Sequence, residues 1–312
     1  MNAKHTLERY NQEQYTAQEA QRLAQQIIFG PIAFQASRLM VKFGILNRLN
    51  RAAKGQTLEE IAQEAKLSRY AAQVLLEASL SIGTVLLRDG RFYISKAGYF
   101  LLRDKMARVN MDFVHEICYQ GMFDLEAALL EGRSAGLKAL GEWPTIYEGL
   151  SQLEPEARRS WLAFDHYYSD NAFDEALKVV FSRPIKRLLD VGGNTGRWAL
   201  RCVAHHPEVE ITIMDLPQQL ALMREAVAGK PGAERIHGHP ANLLDDNTVF
   251  PQGFDAVWMS QFLDCFSEDE VTAILRRARE ALTPEGTLYI MEPFWDRQQY
   301  ETAAYTLTQT SV

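Results

Sequence analysis

The chain has 312 residues, 47% of them hydrophobic and 23% charged, which is enough to bury a large core and to form two domains. Its formal net charge of −7 argues against a protein that coats nucleic acid, although a local basic face is compatible with that charge. The three cysteines, Cys118, Cys202 and Cys265, have neither disulfide-pair nor zinc-ligand spacing. No apolar run has the length of a membrane span, and the polar N-terminus lacks a signal-peptide core. These features predict a cytoplasmic protein without a metal site.

Residues 1–106 predict a mainly helical domain. An apolar face over residues 32–49 indicates a helix that packs on a partner. Residues 57–60 have the form of a capping box, and a turn at 66–68 leads to a second helix over 69–82. Asp89-Gly90, which stands between two short apolar runs, is a strong hairpin signal. The order helix, turn, helix, hairpin is that of a winged helix.

A winged helix allows two functions. One is DNA recognition through Arg69, Tyr70 and Gln73, as in a transcriptional regulator. The other is protein interaction on the same fold, because a fold does not fix a function. Residues 51–105 contain nine basic and six acidic residues, and nine minus six leaves an excess of only three positive charges. We therefore favour protein interaction.

Residues 107–182 predict a helical connector that is rich in aromatic side chains. At helical spacing, most aromatic residues belong to a core. A few of the residues in this region are expected to line an apolar pocket for a planar substrate.

Residues 183–312 alternate between apolar strands and amphipathic helices, which indicates a Rossmann-like α/β domain with a parallel sheet. The helix before the last strand is predicted to end in a turn at residues 283–286. The five predicted strands cover residues 185–191, 209–215, 235–238, 256–260 and 287–292.

The turn after the first of these strands carries the strongest functional signal. Gly192, Gly193, Asn194 and Gly196 follow the strand, and a helix is predicted from residue 197 to 202. Small residues let a ligand approach the main chain, and the free N–H groups of a helix start favour electron-rich ligand atoms. Asn194 stands where a dinucleotide fingerprint has its second Gly, and Asn tolerates a left-handed backbone. The pattern therefore favours an S-adenosylmethionine corner over the pyrophosphate corner of an NAD(P)-dependent reductase.

Polar residues follow the next strands as well. Asp215 ends the second strand, where a carboxylate can accept both ribose hydroxyls of an adenosine ligand, and an N-cap role at the same place is compatible. Asn242 follows the third strand and is either a partner of the adenine amino group or a turn residue. The other predicted cofactor contacts are Asp190, Gly192, Gly196, Leu216, Leu243 and Ser260.

Residues 189–196, 213–217 and 260–270 resemble the small-molecule O-methyltransferases related to the plant caffeate and acetylserotonin enzymes. The likeness extends over nearly the whole chain. It implies S-adenosylmethionine as the methyl donor and a phenolic or other hydroxyl group as the acceptor. It also implies a homodimer formed through the N-terminal winged-helix domain.

The sequence departs from this family at the catalytic position. A His-Asp-Trp-Ser run follows the family's fourth strand, and its His is the general base; here Asp264 stands in place of that His. An Asp with a pKa of about 3.9 is a poor base for a hydroxyl with a pKa of about 10, but burial beside another carboxylate raises the pKa of an Asp. Glu292 matches the family's acidic residue that orients the His, so an Asp264–Glu292 pair sharing a proton is one expectation. His166 or His115 as the base is the other.

A second departure concerns the end of the sheet. The family sheet closes with an antiparallel strand pair after the fifth strand, whereas this sequence stops at Val312, twenty residues beyond Glu292. We expect the last pair, and a further acidic residue that lies there in the family, to be absent from this sequence. The two departures leave an alternative: a protein that binds S-adenosylmethionine on the same scaffold without methylating.

Overall fold

The computed structural model describes residues 11–292 and residue 294. The chain divides into two compact units between Asp112 and Phe113, close to the boundary predicted at residue 106. The further division between residues 182 and 183 stays a prediction. Within the described residues, no helix combines the length and the apolar character that crossing a membrane requires.

The N-terminal unit is helical apart from one hairpin. The helix predicted over residues 32–49 is in fact two helices, because Gly44 adopts a φ of 70° between them and breaks the helical path. The elements are α1 (Ala17–Ile28), α2 (Gly30–Lys42), α3 (Ile45–Arg51), α4 (Leu58–Ala65), α5 (Arg69–Ser81), β1 (Val85–Arg88), β2 (Arg91–Ile94), α6 (Lys96–Arg103) and α7 (Lys105–Phe113).

Local sequence signals explain the order of α4, α5, β1 and β2. Thr57 and Glu60 form the predicted capping box at the start of α4, each accepting from the backbone N–H of the other. Asp89 and Gly90 both have positive φ, 49° and 73°, which suits the right-handed twist of a two-residue hairpin. The unit has its own buried core, which includes Met40, Leu46, Ile61, Leu76 and Val85.

The second unit begins with short helices that lead to two longer ones. Phe113 stacks on Phe164 with ring centroids 4.0 Å apart, and Trp161 meets Phe113 edge to face, so several of the predicted aromatic residues form a small core. The helices are a π-helical turn (Val114–Cys118), α8 (Tyr119–Gly121), α9 (Leu125–Glu131), α10 (Ile146–Gly149), α11 (Pro155–Asp170) and α12 (Phe173–Val180), with 3₁₀ turns at Met122–Asp124, Ala135–Ala139 and Leu150–Gln152.

A five-stranded parallel sheet follows, as predicted, in the order β5-β4-β3-β6-β7. After β3 the chain adds β4 and then β5 on one side of that strand, and it then crosses over to add β6 and β7 on the other side. A crevice therefore forms at the carboxyl ends of β3 and β6, where ligands bind in open α/β sheets. The elements are β3 (Arg187–Val191), α13 (Arg197–His205), β4 (Glu210–Asp215), α14 (Pro217–Val227), β5 (Ile236–Pro240), β6 (Phe254–Ser260), α15 (Glu268–Ala281) and β7 (Leu282–Met291).

The turn predicted at residues 283–286 is instead an irregularity within β7. Phe254 pairs with Leu282, whereas Ala256 pairs with Thr287, so a two-residue step on β6 faces a five-residue step on β7. The extra residues bulge out of the ladder. Helix α15 accordingly ends at Ala281, and the strand begins five residues earlier than the predicted start at 287.

Both faces of the sheet are covered, which fixes the strand ends in place. Leu188 and Ile213 are fully buried on one face, in a core that includes Trp198. Leu189 and Met214 are fully buried on the opposite face, in a core that includes residues of α15. Continuous apolar strands of this kind are typical of a parallel sheet between helical layers.

Candidate active site

The turn after β3 and the end of β4 together form what we call the glycine corner, residues 190–196 with Asp215. Gly192, Asn194 and Gly196 all have positive φ, of 70°, 50° and 76°. The left-handed backbone at Asn194 is the one that the sequence predicted. The Gly196 N–H donates to the Gly193 carbonyl at 2.9 Å, which closes the turn before α13 begins.

The three glycines of the corner differ in what a side chain at each position would contact. A Cβ on Gly192 would lie 2.3 Å from the ring of Phe262, and one on Gly193 would lie 2.6 Å from Asp190 Oδ2. Both positions therefore require glycine, because the Phe262 ring and the Asp190 carboxyl group pack directly against the backbone there. A Cβ on Gly196 would instead come within 3.0 Å of Val227, so this glycine permits close packing against α14.

Asp215 ties the end of β4 to the corner. Its Oδ2 accepts from the Asn194 N–H at 3.1 Å, and its Oδ1 accepts from the N–H of Leu216 at 2.8 Å. Burial raises the pKa of Asp215 to about 6, and the two N–H donors oppose that rise. The carboxylate is thus charged at neutral pH at the edge of the crevice.

Several buried polar side-chain atoms at and beside the corner lack hydrogen-bond partners among the described residues, including Gln219 Oε1 and Trp198 Nε1. Asp190 is 2% exposed, and its Oδ2 has no hydrogen-bond partner in the described part of the chain; the same is true of Ser260 Oγ. Burial, followed by the charge of Asp215, raises the pKa of Asp190 to about 8. Buried polar groups are nearly always hydrogen-bonded, so these atoms are available to a polar ligand or to bound water.

Two open clefts meet at the corner, a larger one of about 500 Å³ and a smaller one of about 380 Å³. Asp165, Gly192, Asn194 and Ser260 line both. The larger cleft has aromatic walls, formed by Tyr147, Trp161 and Phe262. The smaller cleft is more polar, with His166, Ser169, Asp190, Thr195 and Arg197 among its lining residues.

Three acidic side chains, which we call the carboxylate cluster, lie at this site: Asp165, Asp264 and Glu292. Asp165, on α11, accepts at Oδ2 from Asn194 Nδ2 at 3.3 Å. With its amide oriented to suit its neighbours, Gln261 donates to Asp165 Oδ1 at 2.7 Å and to the Asp165 carbonyl at 3.0 Å. Burial raises the pKa of Asp165 to about 7, aided by the charges of Asp264 and Asp170.

Asp264 and Glu292 lie on the loop after β6 and just beyond β7. The residue Asp264 is exposed, yet its carboxyl group borders low-polarity surroundings, and this desolvation raises its pKa. Glu292 Oε1 accepts from the N–H groups of Phe262 and Leu263, each at 3.0 Å. Burial, followed by the charge of Asp264, raises the pKa of Glu292 to about 7. Among the described residues, neither of these two lines the larger or the smaller cleft.

Of the two histidines considered as alternative bases, His166 lies at this site and His115 does not. His166 lines the smaller cleft, with Nε2 3.4 Å from Thr195 Oγ1 and Nδ1 3.9 Å from Asp170. Burial, followed by the charge of Arg197, lowers the pKa of His166 to about 4, so its ring is neutral at pH 7. His115 lies 3.8 Å from Glu116 and lines neither cleft.

The residues after β5 form a turn. Asn242 Oδ1 accepts from the Leu244 N–H at 3.0 Å, which is the turn role that the sequence allowed. Leu243 is fully buried in the core, and Leu216 is 5% exposed at the start of α14. Contact of these three residues with an adenine ring stays a prediction.

Sequence reasoning did not single out Asp165, Gln219 or Gln261. Gln219 is 4% exposed and donates from Nε2 to Asn194 Oδ1 at 3.3 Å, while Gln261 has a φ of 47°. One signal was present for Asp165, a carboxylate set within the aromatic segment 161–168, because an acidic residue among apolar ones is seldom buried without a role. The two glutamines carry no comparable signal.

Two family profiles match the chain. The profile of an O-methyltransferase domain matches residues 106–311, and that of a Dimerisation2-like domain matches residues 21–92. Together they cover both of the units that the structure separates.

Individual relatives agree with these profiles. The chain is 26% identical to L-tyrosine C(3)-methyltransferase of Streptomyces lavendulae, over 83% of this chain and 71% of the relative. It is 27% identical to demethylspheroidene O-methyltransferase of Cereibacter sphaeroides, over 83% of this chain and 68% of the relative. The crystal structure of NcsB1, an O-methyltransferase from neocarzinostatin biosynthesis in complex with S-adenosylmethionine and 2-hydroxy-5-methyl naphthoic acid, has the same fold. Its TM-score is 0.67 at 18% identity, with 89% of this chain and 84% of that chain covered.

Proposed function

The chain belongs to the O-methyltransferase domain family and is an S-adenosylmethionine-dependent methyltransferase, and we propose that it methylates a hydroxyl of a small aromatic acceptor. The observation that carries the proposal is the aromatic-walled larger cleft, which opens directly onto the glycine corner. When bound, S-adenosylmethionine supplies a methyl group on a positively charged sulfur. The protein's own part is to hold the acceptor oxygen in line with that methyl group.

The residues at the corner fit the donor. We assign the ribose hydroxyls to Asp215, and the unpartnered Asp190 carboxyl and Ser260 hydroxyl offer hydrogen-bonding groups for the polar end of the ligand. Gly192 lines both clefts and lets the Phe262 ring pack against its backbone. We assign Gly196 to the packing of the corner, and Leu216, Asn242 and Leu243 to the adenine side.

The walls of the larger cleft suit a planar acceptor. Tyr147 meets Phe262 edge to face at 5.7 Å, and Trp161 lines the same cleft. Large rigid rings bury an aromatic ligand at little cost in side-chain entropy. NcsB1 holds a naphthoic acid on the same fold, which supports an acceptor of this class here. Asp264, Glu292 and His166 stay proposed participants at the reacting centre.

The N-terminal unit is proposed to act as a winged-helix dimerisation module of a cytoplasmic homodimer. Support comes from the Dimerisation2-like match and from the row Ile27, Ile28, Phe29 and Ile32, whose side chains are 54–64% exposed on α1, α2 and their junction. Apolar rows of this kind mark interfaces more often than free surface. The profile matches favour this role over the transcriptional regulator and the NAD(P)-dependent reductase.

Calorimetric titration with S-adenosylmethionine and S-adenosylhomocysteine, followed by incubation with catechol, 1-naphthol and 2-naphthol, tests the proposal. We expect micromolar binding of both ligands and a product that carries one added methyl group by mass spectrometry. NMR of the product separates O-methylation from methylation of a ring carbon, the outcome that the name of the Streptomyces relative raises. A folded protein that binds neither ligand would contradict the proposal, and binding without methylation of any aromatic hydroxyl would leave the non-methylating alternative.

A further inference from the structure

Asp165 is the one member of the carboxylate cluster that lines a cleft, and it lines both. It therefore borders the polar cleft beside the glycine corner and also the larger cleft, in which Asp215 and the aromatic walls lie together. Asp264 and Glu292, both among the described residues, line neither of the two clefts. Glu292 Oε1 already accepts hydrogen bonds from the N–H groups of Phe262 and Leu263.

Two amides from different elements hold the Asp165 carboxyl group. Asn194 reaches it from the glycine corner and Gln261 reaches it from the loop after β6. Gln261 does so from a backbone with a φ of 47°, a conformation that non-glycine residues adopt only when the surrounding structure enforces it. Each carboxylate oxygen has a second lone pair, so both amides leave room for an acceptor hydroxyl.

We propose that Asp165 is the general base of the reaction, taking over at a different place in the fold the task of the missing His. The inference rests on the proposed function, since it presumes a hydroxyl acceptor in the larger cleft. The acceptor oxygen forms its bond to the methyl carbon as the carbon–sulfur bond breaks and leaves its electron pair on sulfur. The hydroxyl proton passes to an oxygen of Asp165, so charge and atoms balance.

The charged groups around Asp165 suit it for this step. The charged groups that act on Asp165 are Asp170 on the same helix, Asp264 on the loop after β6, Glu292 beyond β7 and Arg197 on α13. The Cys265 thiol stays neutral, because its pKa is raised far above its usual range. Burial, aided by the charges of Asp264 and Asp170 and opposed by the Asn194 amide, raises the pKa of Asp165 to about 7, near the pH at which a base must work. A base acts when deprotonated, so the rate falls as pH drops through about 7.

The first test compares Asp165→Asn and Asp165→Glu with the wild-type enzyme, using whichever of catechol, 1-naphthol and 2-naphthol is methylated. Loss of a general base lowers kcat/KM by about 10² to 10⁴ fold. We expect that loss in Asp165→Asn, together with the disappearance of the acid limb of the pH profile, and partial recovery of both in Asp165→Glu. Glu156→Gln, an exposed carboxylate on the same helix, serves as the matched control and keeps the wild-type profile.

Asp264→Asn separates the two carboxylates. If Asp165 is the base, removal of the Asp264 charge shifts the acid limb to lower pH without abolishing it. An acid limb that vanishes in Asp264→Asn and survives in Asp165→Asn would overturn the inference.

A second measurement needs no acceptor. A sulfonium beside Asp165 favours the ionised form of its carboxyl group. Binding of S-adenosylmethionine below pH 7 should therefore release part of a proton from Asp165. Binding of S-adenosylhomocysteine, whose sulfur is uncharged, should not. Calorimetry in two buffers of different ionisation enthalpy measures this difference. We expect it in the wild type and not in Asp165→Asn. An equal proton release for both ligands in the wild type would refute the placement of Asp165, whereas failure to bind either ligand would defeat the proposed function itself.

Discussion

The glycine corner and the carboxylate cluster adjoin one another and are built in opposite ways. The corner is one run of backbone, residues 190–196, closed by Asp215 from the neighbouring strand. The cluster draws Asp165, Asp264 and Glu292 from a helix, a loop and a strand end that lie far apart in sequence. A site made by consecutive backbone is readable from a sequence, whereas a site made by convergent side chains depends on packing.

The two regions also differ in electrostatics. Asp215 in the corner accepts two backbone N–H groups, which favour its charged form. In the cluster, the charge of Asp264 raises the pKa of both Asp165 and Glu292 and so opposes their ionisation. Such groups persist only where the surrounding fold holds them, and that cost is typical of a site kept for chemistry.

The largest effect is expected from Gly192→Ala, which breaks the corner's backbone. The new Cβ meets Phe262 at 2.3 Å and a residue other than Gly must adopt a φ of 70°, so the free energy of unfolding falls by about 2–4 kcal/mol. Urea denaturation measures it. Gly132→Ala is the matched control, since Gly132 has a φ of 62° with nothing within 4 Å, and only the backbone cost of about 1–2 kcal/mol applies. Equal losses of unfolding free energy in the two variants would show that the Phe262 ring moves aside at no energetic cost.

Asp215→Ala removes the corner's charged acceptor. Hydrogen bonds to charged groups contribute about 1.5–3 kcal/mol, so affinity for S-adenosylhomocysteine falls by about tenfold to a hundredfold. Calorimetric titration gives the dissociation constants. Asp246→Ala, on an exposed turn, is expected to bind as the wild type does. A variant lacking the Asp215 carboxylate yet binding normally would remove that residue from the cofactor site.

Asp190→Asn tests how the buried Asp190 carboxyl group makes the free energy of unfolding depend on pH. Its folded pKa of about 8 lies above the ordinary value of 3.8, so its contribution to stability is fully present below pH 3.8 and is lost as pH rises through about 8. In that window the wild type loses about 1.4 kcal/mol of unfolding free energy per pH unit from this group alone. Urea denaturation at pH 5 and pH 7 should show a shallower slope in the variant. An unchanged slope would mean that Asp190 is ionised in the fold.

Ser267→Ala has the smallest expected effect. Ser267 and Glu270 form a capping box that starts α15 directly after the loop carrying Asp264. Loss of such a cap costs about 1 kcal/mol of unfolding free energy. Thr57→Ala removes the same motif from the N-terminal unit and should cost a similar amount. Affinity for S-adenosylhomocysteine is expected to stay unchanged in both variants, and a weakened affinity in Ser267→Ala alone would show that the loop and the corner are coupled.

The sequence predicted the elements whose signals are local. Five strands, the left-handed turn at Asn194 and the hairpin at Asp89-Gly90 all follow from periodicity and turn chemistry. The split at Gly44 had a local signal, a glycine that readily adopts a positive φ, and that signal was not used. The bulge at residues 283–286 was missed because it depends on how β7 pairs with its neighbour β6. Asp165 was missed for the same reason, since only the packing of α11 brings its carboxyl group to Asn194 and Gln261.

Calorimetric titration of Asp165→Asn with S-adenosylhomocysteine tests most directly whether the two regions have separate tasks. The ligand lacks the sulfonium charge, so a base that serves only the transfer step should leave its affinity within about threefold of the wild-type value, while methyl transfer falls by about a hundredfold or more. A loss of affinity as large as that of Asp215→Ala would contradict the account. It would make Asp165 part of the donor site and leave the proton without an acceptor.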